Sequence, residues 1–182
     1  MIMRKKIDFC TGWYFQRQDC GAAATLQYGT SVTLPHTWNA CDGQDGGNDY
    51  HRGTCWYVKK FEMPYLPEGG EAWLEFEGVA MTADVYVNGH HLGHHEGGYS
   101  TFRVNITSAL GEENLVAVSV DNSKNRRVYP QKADFTFYGG IYRKVSLITV
   151  PCSHFVLDYY GSPGIKVTPN VKGDIAEVIV ET

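Results

Sequence analysis

The chain has 182 residues, with 16 Lys and Arg against 20 Asp and Glu, a net charge of −4 and 43% hydrophobic residues. A domain of this size can bury a core without staples; the lack of a basic stripe excludes nucleic-acid binding by counterion displacement, and no segment approaches the ~20 apolar residues of a membrane helix. Five cysteines (Cys10, Cys20, Cys41, Cys55 and Cys152) form an odd set without a Cys-x-x-Cys pair, which fits free thiols in a reducing compartment better than a disulfide framework or a zinc module. No signal-length apolar run follows the basic start Met1 to Lys6, so a cytoplasmic location is expected unless a leader has been removed.

Along the chain, short apolar runs are broken by Gly, Pro, Asn and Asp. The first clear strand candidate is Trp56 to Met63. In Trp73 to Glu77 the residues alternate with period two, placing Leu74 and Phe76 on one face. Ala83, Val85 and Val87 share a face, and Asn88-Gly89 follows, a pair suited to the positive φ angles of a type I′ hairpin turn. Val116, Val118 and Val120 line one face of Leu115 to Asp121, and Tyr142 to Val150 completes this series. No stretch keeps a 3.6-residue period, so helices should be few and short. Many strands separated by turn signals predict an all-β sandwich or jelly roll.

Near Pro151 the pattern restarts with Phe155 to Tyr159, Gly164 to Thr168 and Ile175 to Val180. These three predicted strands either complete the first sandwich or open a second, incomplete domain. We adopt the second reading, with one domain over 1-150 and the start of another over 151-182.

Several clusters suggest chemistry. His90-His-Leu-Gly-His-His95 would offer a chelating i, i+4 pair on a helix, but the Asn-Gly turn before it argues for a strand. There His90 and His94 stand ~13 Å apart, too far for one metal ion bonded at ~2 Å. The loop Asp42 to Asp49 is rich in oxygen ligands but fails the EF-hand spacing, because Gly falls where side-chain ligands are required. No Gly-x-Ser-x-Gly elbow and no phosphate loop is present. Asp134, flanked by Phe135, Phe137 and Tyr138, has the composition of a sugar contact: an acid accepts hydroxyl hydrogen bonds while rings cover apolar faces.

Segments in series across residues 12–143 resemble the sugar-binding N-terminal domain of family 2 glycoside hydrolases, β-galactosidase type. They are Gly12-Trp-Tyr-Phe15, Leu34-Pro-His-Thr-Trp-Asn39, Tyr50-His-Arg-Gly53 with Trp56-Tyr57, Phe76-Glu-Gly-Val79, Val85-Tyr-Val-Asn-Gly89, Gly93-His-His-Glu-Gly-Gly-Tyr99, Val120-Asp-Asn122 and Asp134-Phe-Thr-Phe-Tyr-Gly-Gly-Ile-Tyr-Arg143. The resemblance implies a galactose-binding-domain-like jelly roll, followed by the first strands of an immunoglobulin-like domain. It places both catalytic glutamates in a (β/α)₈ barrel further along, so no residue here is carried over as catalytic, and the chain alone should be inactive.

One binding role is carried over. Asp134 would reach into the barrel's sugar pocket, and Phe135, Phe137 and Tyr138 would support its loop. The implied partners are the barrel of the same parent chain and a carbohydrate, and the parent could be a homo-oligomer. No cofactor is implied within these residues, and a metal ion in the parent is left open. β-Galactosides are the first expectation for its substrate, although the family also holds β-glucuronidases and β-mannosidases. Asn105 stands where the family often has Asp, at a position that looks structural. The alternative from another class is a free-standing carbohydrate-binding module using exposed aromatics such as Trp38 or Tyr138.

Overall fold

A computed structural model describes residues 3–42, 50–129 and 137–182. Its strands are β1 (Lys5–Asp8), β2 (Trp13–Gln16), β3 (Thr30–Val32), β4 (Thr54–Glu62), β5 (Glu71–Phe76), β6 (Thr82–Val87), β7 (His90–Glu96), β8 (Phe102–Asn105), β9 (Glu113–Asp121), β10 (Val145–Val150), β11 (Lys166–Lys172) and β12 (Ile175–Glu181), with a short α-helix, α1 (Gly21–Tyr28), and a 3-10 turn at Thr107–Ala109. Two antiparallel sheets, ordered β1-β10-β5-β8 and β3-β2-β4-β9-β6-β7, face each other as a jelly-roll sandwich.

The alternation read from the sequence builds the core. Ala83, Val85 and Val87 from β6 and Val116, Val118 and Val120 from β9 meet Leu74 and Phe76 from β5 and Val145 and Leu147 from β10. Each large side chain buried there contributes about 1.5–3 kcal/mol. Trp13 is fully buried, and its indole N–H donates to the Phe9 carbonyl at 2.7 Å, so the ring enters the core with its polar atom satisfied.

Asn88 and Gly89 take φ of 52° and 83°, the left-handed pair that a tight β6–β7 hairpin demands. Beyond the turn, the register slips: Tyr86 faces His91 while Val85 faces Gly93, leaving Leu92 as the extra residue of a β-bulge. Asn105 is structural, as expected, since its side-chain oxygen accepts from the Thr107 amide and hydroxyl at 3.0 and 2.7 Å.

Some expectations change. The last strand of the sandwich starts at Val145 rather than Tyr142, because Gly140 and Ile141 bond instead to Ala80 and His36. Trp73 and Glu75 are as buried as Leu74 and Phe76, so β5 has no solvent face. The cover is the segment that follows β10: Leu157 joins Trp73, Ile148 and Val150 in a second cluster on the outer side of the sheet. That same segment corrects the reading of Phe155 to Tyr159 as a strand. It is irregular, and its neighbourhood offers carbonyls to the Arg103 guanidinium rather than to a strand partner. The other two tail strands do form, the first of them later than expected, from Lys166 rather than Gly164. β11 and β12 pair only with each other, as an exposed hairpin turning at Gly173 and Asp174.

Candidate functional site

Asp134 and Phe135 lie outside the described residues, while Phe137 and Tyr138 lie within them. What the structure defines is the ground on either side of 130–136. On the exit side, segment 137–141 is fixed by side chains far away in sequence. The Thr37 hydroxyl donates to the Gly139 carbonyl at 2.8 Å, and the Asn39 carboxamide oxygen accepts from the Gly139 amide at 2.7 Å. The His36 amide donates to the Ile141 carbonyl at 2.8 Å, and Ala80 and Gly140 exchange a pair of backbone bonds at 3.0 and 3.2 Å. The Tyr50 hydroxyl donates to the Phe137 carbonyl.

Two glycines make this closeness possible. A Cβ on Gly139 would sit 2.2 Å from Trp38 Cζ2, and one on Gly140 would sit 2.6 Å from the His36 carbonyl at a φ of +122°. Trp38 is therefore packed rather than displayed: it is 7% exposed, lies parallel to Phe15 at 6.0 Å and contacts His51 edge-on at 6.3 Å. Of the two aromatics that a free-standing binding module would use, only Tyr138 is exposed.

Behind Asn39 lies a buried polar layer. The Asn39 amide nitrogen donates to Asp42 and to the His51 carbonyl at 3.1 Å. Asn122 donates to the same His51 carbonyl at 3.0 Å and to Asn39 Oδ1 at 3.3 Å, and accepts from the Gly53 amide at 2.9 Å. Asp42 also accepts from the His51 amide at 2.9 Å and faces Arg17 at 3.4 Å. Burial alone would raise the pKa of Asp42, but the His51 amide, the Asn39 side chain and Arg17 outweigh it and hold the carboxyl below its ordinary value. This carboxylate is committed to the scaffold. The rest of its loop, 43–49, where a calcium site was considered and set aside, lies outside the described residues.

On the entry side, Val128 is buried with Ala80 and Met81, and Arg127 pairs with Glu96 at the end of β7. Around the site, Tyr99 and Tyr138 are exposed, and the Arg52 guanidinium stacks 4.8 Å from the Tyr50 ring centroid. Sequence reasoning did not find Thr37, Asn39, Tyr50 or Asn122 as supports. Their signal was present in three of the quoted segments, but their partners lie about a hundred residues away, beyond any local pattern.

The histidine run sits on a strand, as expected. The bulge brings His91 and His94 to one side, where His91 Nε2 and His94 Nδ1 each meet Asp84 Oδ1 at 2.8 Å. His94 has its pKa raised, first by its hydrogen bond to Asp84. Among the described residues no group of three or more His, Cys, Asp or Glu is arranged to hold a metal ion. All five cysteines are free, with Cys10 and Cys55 buried and Cys41 and Cys152 exposed.

The family model described as "Glycosyl hydrolases family 2, sugar binding domain" matches residues 14–151. The chain is 43% identical over 143 residues to a β-glucuronidase of Bacteroides fragilis, covering 77% of this chain and 20% of that protein. It is 30% identical over 188 residues to a β-galactosidase of Thermoanaerobacter pseudethanolicus, covering 98% and 24%. Among solved structures, the FMN-binding β-glucuronidase of Faecalibacterium prausnitzii L2-6 superposes with a TM-score of 0.85 at 43% identity, covering 99% of this chain and 28% of that one. The chain thus spans between a fifth and three tenths of the length of these relatives.

Proposed function

Because the chain belongs to the family 2 glycoside hydrolases, as their N-terminal sugar-binding domain, we propose that it serves a longer retaining β-glycosidase as the scaffold that presents Asp134 to the substrate. Residues 1-150 are the presenting domain, and 151-182 open the immunoglobulin-like unit that follows. The catalytic carboxylate pair, which works by double displacement through a covalent glycosyl-enzyme, belongs to a barrel beyond these residues.

The observation that carries this reading is the grip of Thr37 and Asn39 on Gly139. A loop that must hold one carboxylate against a sugar needs its ends fixed by rigid elements, and this grip lies five residues after Asp134. Phe137 and Tyr138 stand between the grip and the aspartate, in keeping with a supporting role. The relative at 43% identity is named a β-glucuronidase and the one at 30% a β-galactosidase, so we place β-glucuronides ahead of the β-galactosides that the sequence alone favoured.

The test has two arms. The chain by itself should turn over neither aryl β-glucuronide nor aryl β-galactoside, and turnover that tracks with the purified chain refutes the scaffold reading. In the longer parent, Asp134→Ala should lower kcat/KM about 100-fold, the ~3 kcal/mol of one or two charge-assisted hydrogen bonds. An unchanged kcat/KM removes Asp134 from the site.

A further inference from the structure

We infer that Arg103 and Glu75 form a latch that holds the strap 155–164 on the outer face of the four-stranded sheet and thereby sets the direction in which the β11–β12 hairpin leaves the sandwich. The two residues are cross-strand partners on β8 and β5. Arg103 is nearly inaccessible, with 6% of its side chain exposed, and among the described residues its guanidinium bonds only within this junction. Its Nε donates to Glu75 Oε2 at 2.6 Å, one terminal nitrogen donates to the Leu157 and Ser162 carbonyls at 2.9 and 2.7 Å, and the other donates to the Gly161 carbonyl at 3.0 Å. On the far side of Glu75, Oε1 pairs with Lys6 of β1 at 2.6 Å, so three strands back the latch.

The strap is shaped for this grip. Tyr160, Gly161 and Gly164 all take positive φ, of 47°, 66° and 78°. A Cβ on Gly164 would sit 2.2 Å from the Val156 carbonyl, and one on Gly161 would sit 2.5 Å from the Thr101 carbonyl. These bends wrap carbonyls around one planar fork, a geometry that a lysine ammonium cannot reproduce. Leu157 plugs the neighbouring apolar patch of Trp73, Ile148 and Val150. No strand of either sheet pairs with β11 or β12, which leaves the strap as the element that aims them. The inference is independent of which sugar, if any, the parent cleaves.

The experiment is carried out on the 182-residue chain. Residual dipolar couplings should place the β11–β12 amides in one orientation relative to β4, β9 and β6. In Arg103→Lys those of the hairpin should average while the sandwich keeps its values. Amide exchange across 155–164 should quicken at least tenfold with β4 and β9 unchanged, and the Trp73 indole resonance should shift. Gly164→Ala, which touches neither charged residue, should give the same pattern from the strap's side. Hairpin couplings already averaged in the unaltered chain, a strap that stays protected in both variants, or equal loss of protection in both sheets overturns the latch.

Discussion

Two irregular stretches of this molecule are held in place by side chains, and they are held differently. Segment 137–141 is gripped by the neutral groups of Thr37 and Asn39 and pressed against the face of Trp38. The strap 155–164 is gripped by a guanidinium backed by a carboxylate and capped by a single leucine. The first arrangement draws on both shape and hydrogen bonding, and it fixes one backbone path. The second relies on charge as well, so its hold should be firmest while its carboxylate is ionised.

The largest test of that contrast is Asn39→Leu, which keeps the volume but strands the buried Gly139 amide and removes one of the donors to Asp42 and one of those to the His51 carbonyl. It should cost about 3 kcal/mol in denaturant unfolding, the penalty of orphaned buried polar groups. A loss below about 1 kcal/mol would mean that the grip on Gly139 is incidental. Gly139→Ala comes next. The methyl would collide with Trp38, and the overpacking should cost about 2 kcal/mol and perturb the near-ultraviolet signal of the indole. An unperturbed indole would show that shape contributes nothing there.

The smallest effect should come from acid. Glu75 is buried, which by itself would raise its pKa, but the hydrogen bonds from Lys6 and Arg103 outweigh this and hold it below its ordinary 4.5. A depressed folded pKa means that the stabilisation is complete above the ordinary value and is lost as pH falls through the folded one. Strap amides should therefore lose protection in that window before residues 137–141 do, since the hydroxyl and carboxamide holding Gly139 do not titrate and the one carboxylate behind them, Asp42, is held below a lower ordinary value of 3.8. Simultaneous loss would erase the distinction between the two grips.

How far the sequence could be read follows the same division. Alternation at Ala83, Val85 and Val87 and at Val116, Val118 and Val120 revealed core faces because a strand's side chains repeat every two residues. The Asn88-Gly89 turn was readable because few residues accept positive φ. Glycines 139 and 140 stand in one of the family segments, but the reason for the first, a tryptophan ring a hundred positions earlier, was not legible. The pattern at Phe155 to Tyr159 resembles a strand, yet only Leu157 is buried, because the competing donor is a side chain on β8 that no local window contains. The cover over Trp73 and Glu75 was out of sight for the same reason: it arrives from about eighty residues downstream. The family segments directed attention to Asp134 and its neighbours, since they join positions that spacing alone cannot relate.

The bulge at Leu92 has one more consequence. β7 is the outermost strand of its sheet, and an outermost strand is an open invitation to a strand from another molecule. The extra residue breaks the regular spacing of the unpaired amides and carbonyls, and His91, His94 and Glu96 line the break with polar side chains. At the opposite margin β3 runs for only three residues, and β1 and β8, which bound the other sheet, run for four each. Among the described residues the sandwich thus offers no long flat border onto which a neighbouring strand could pair.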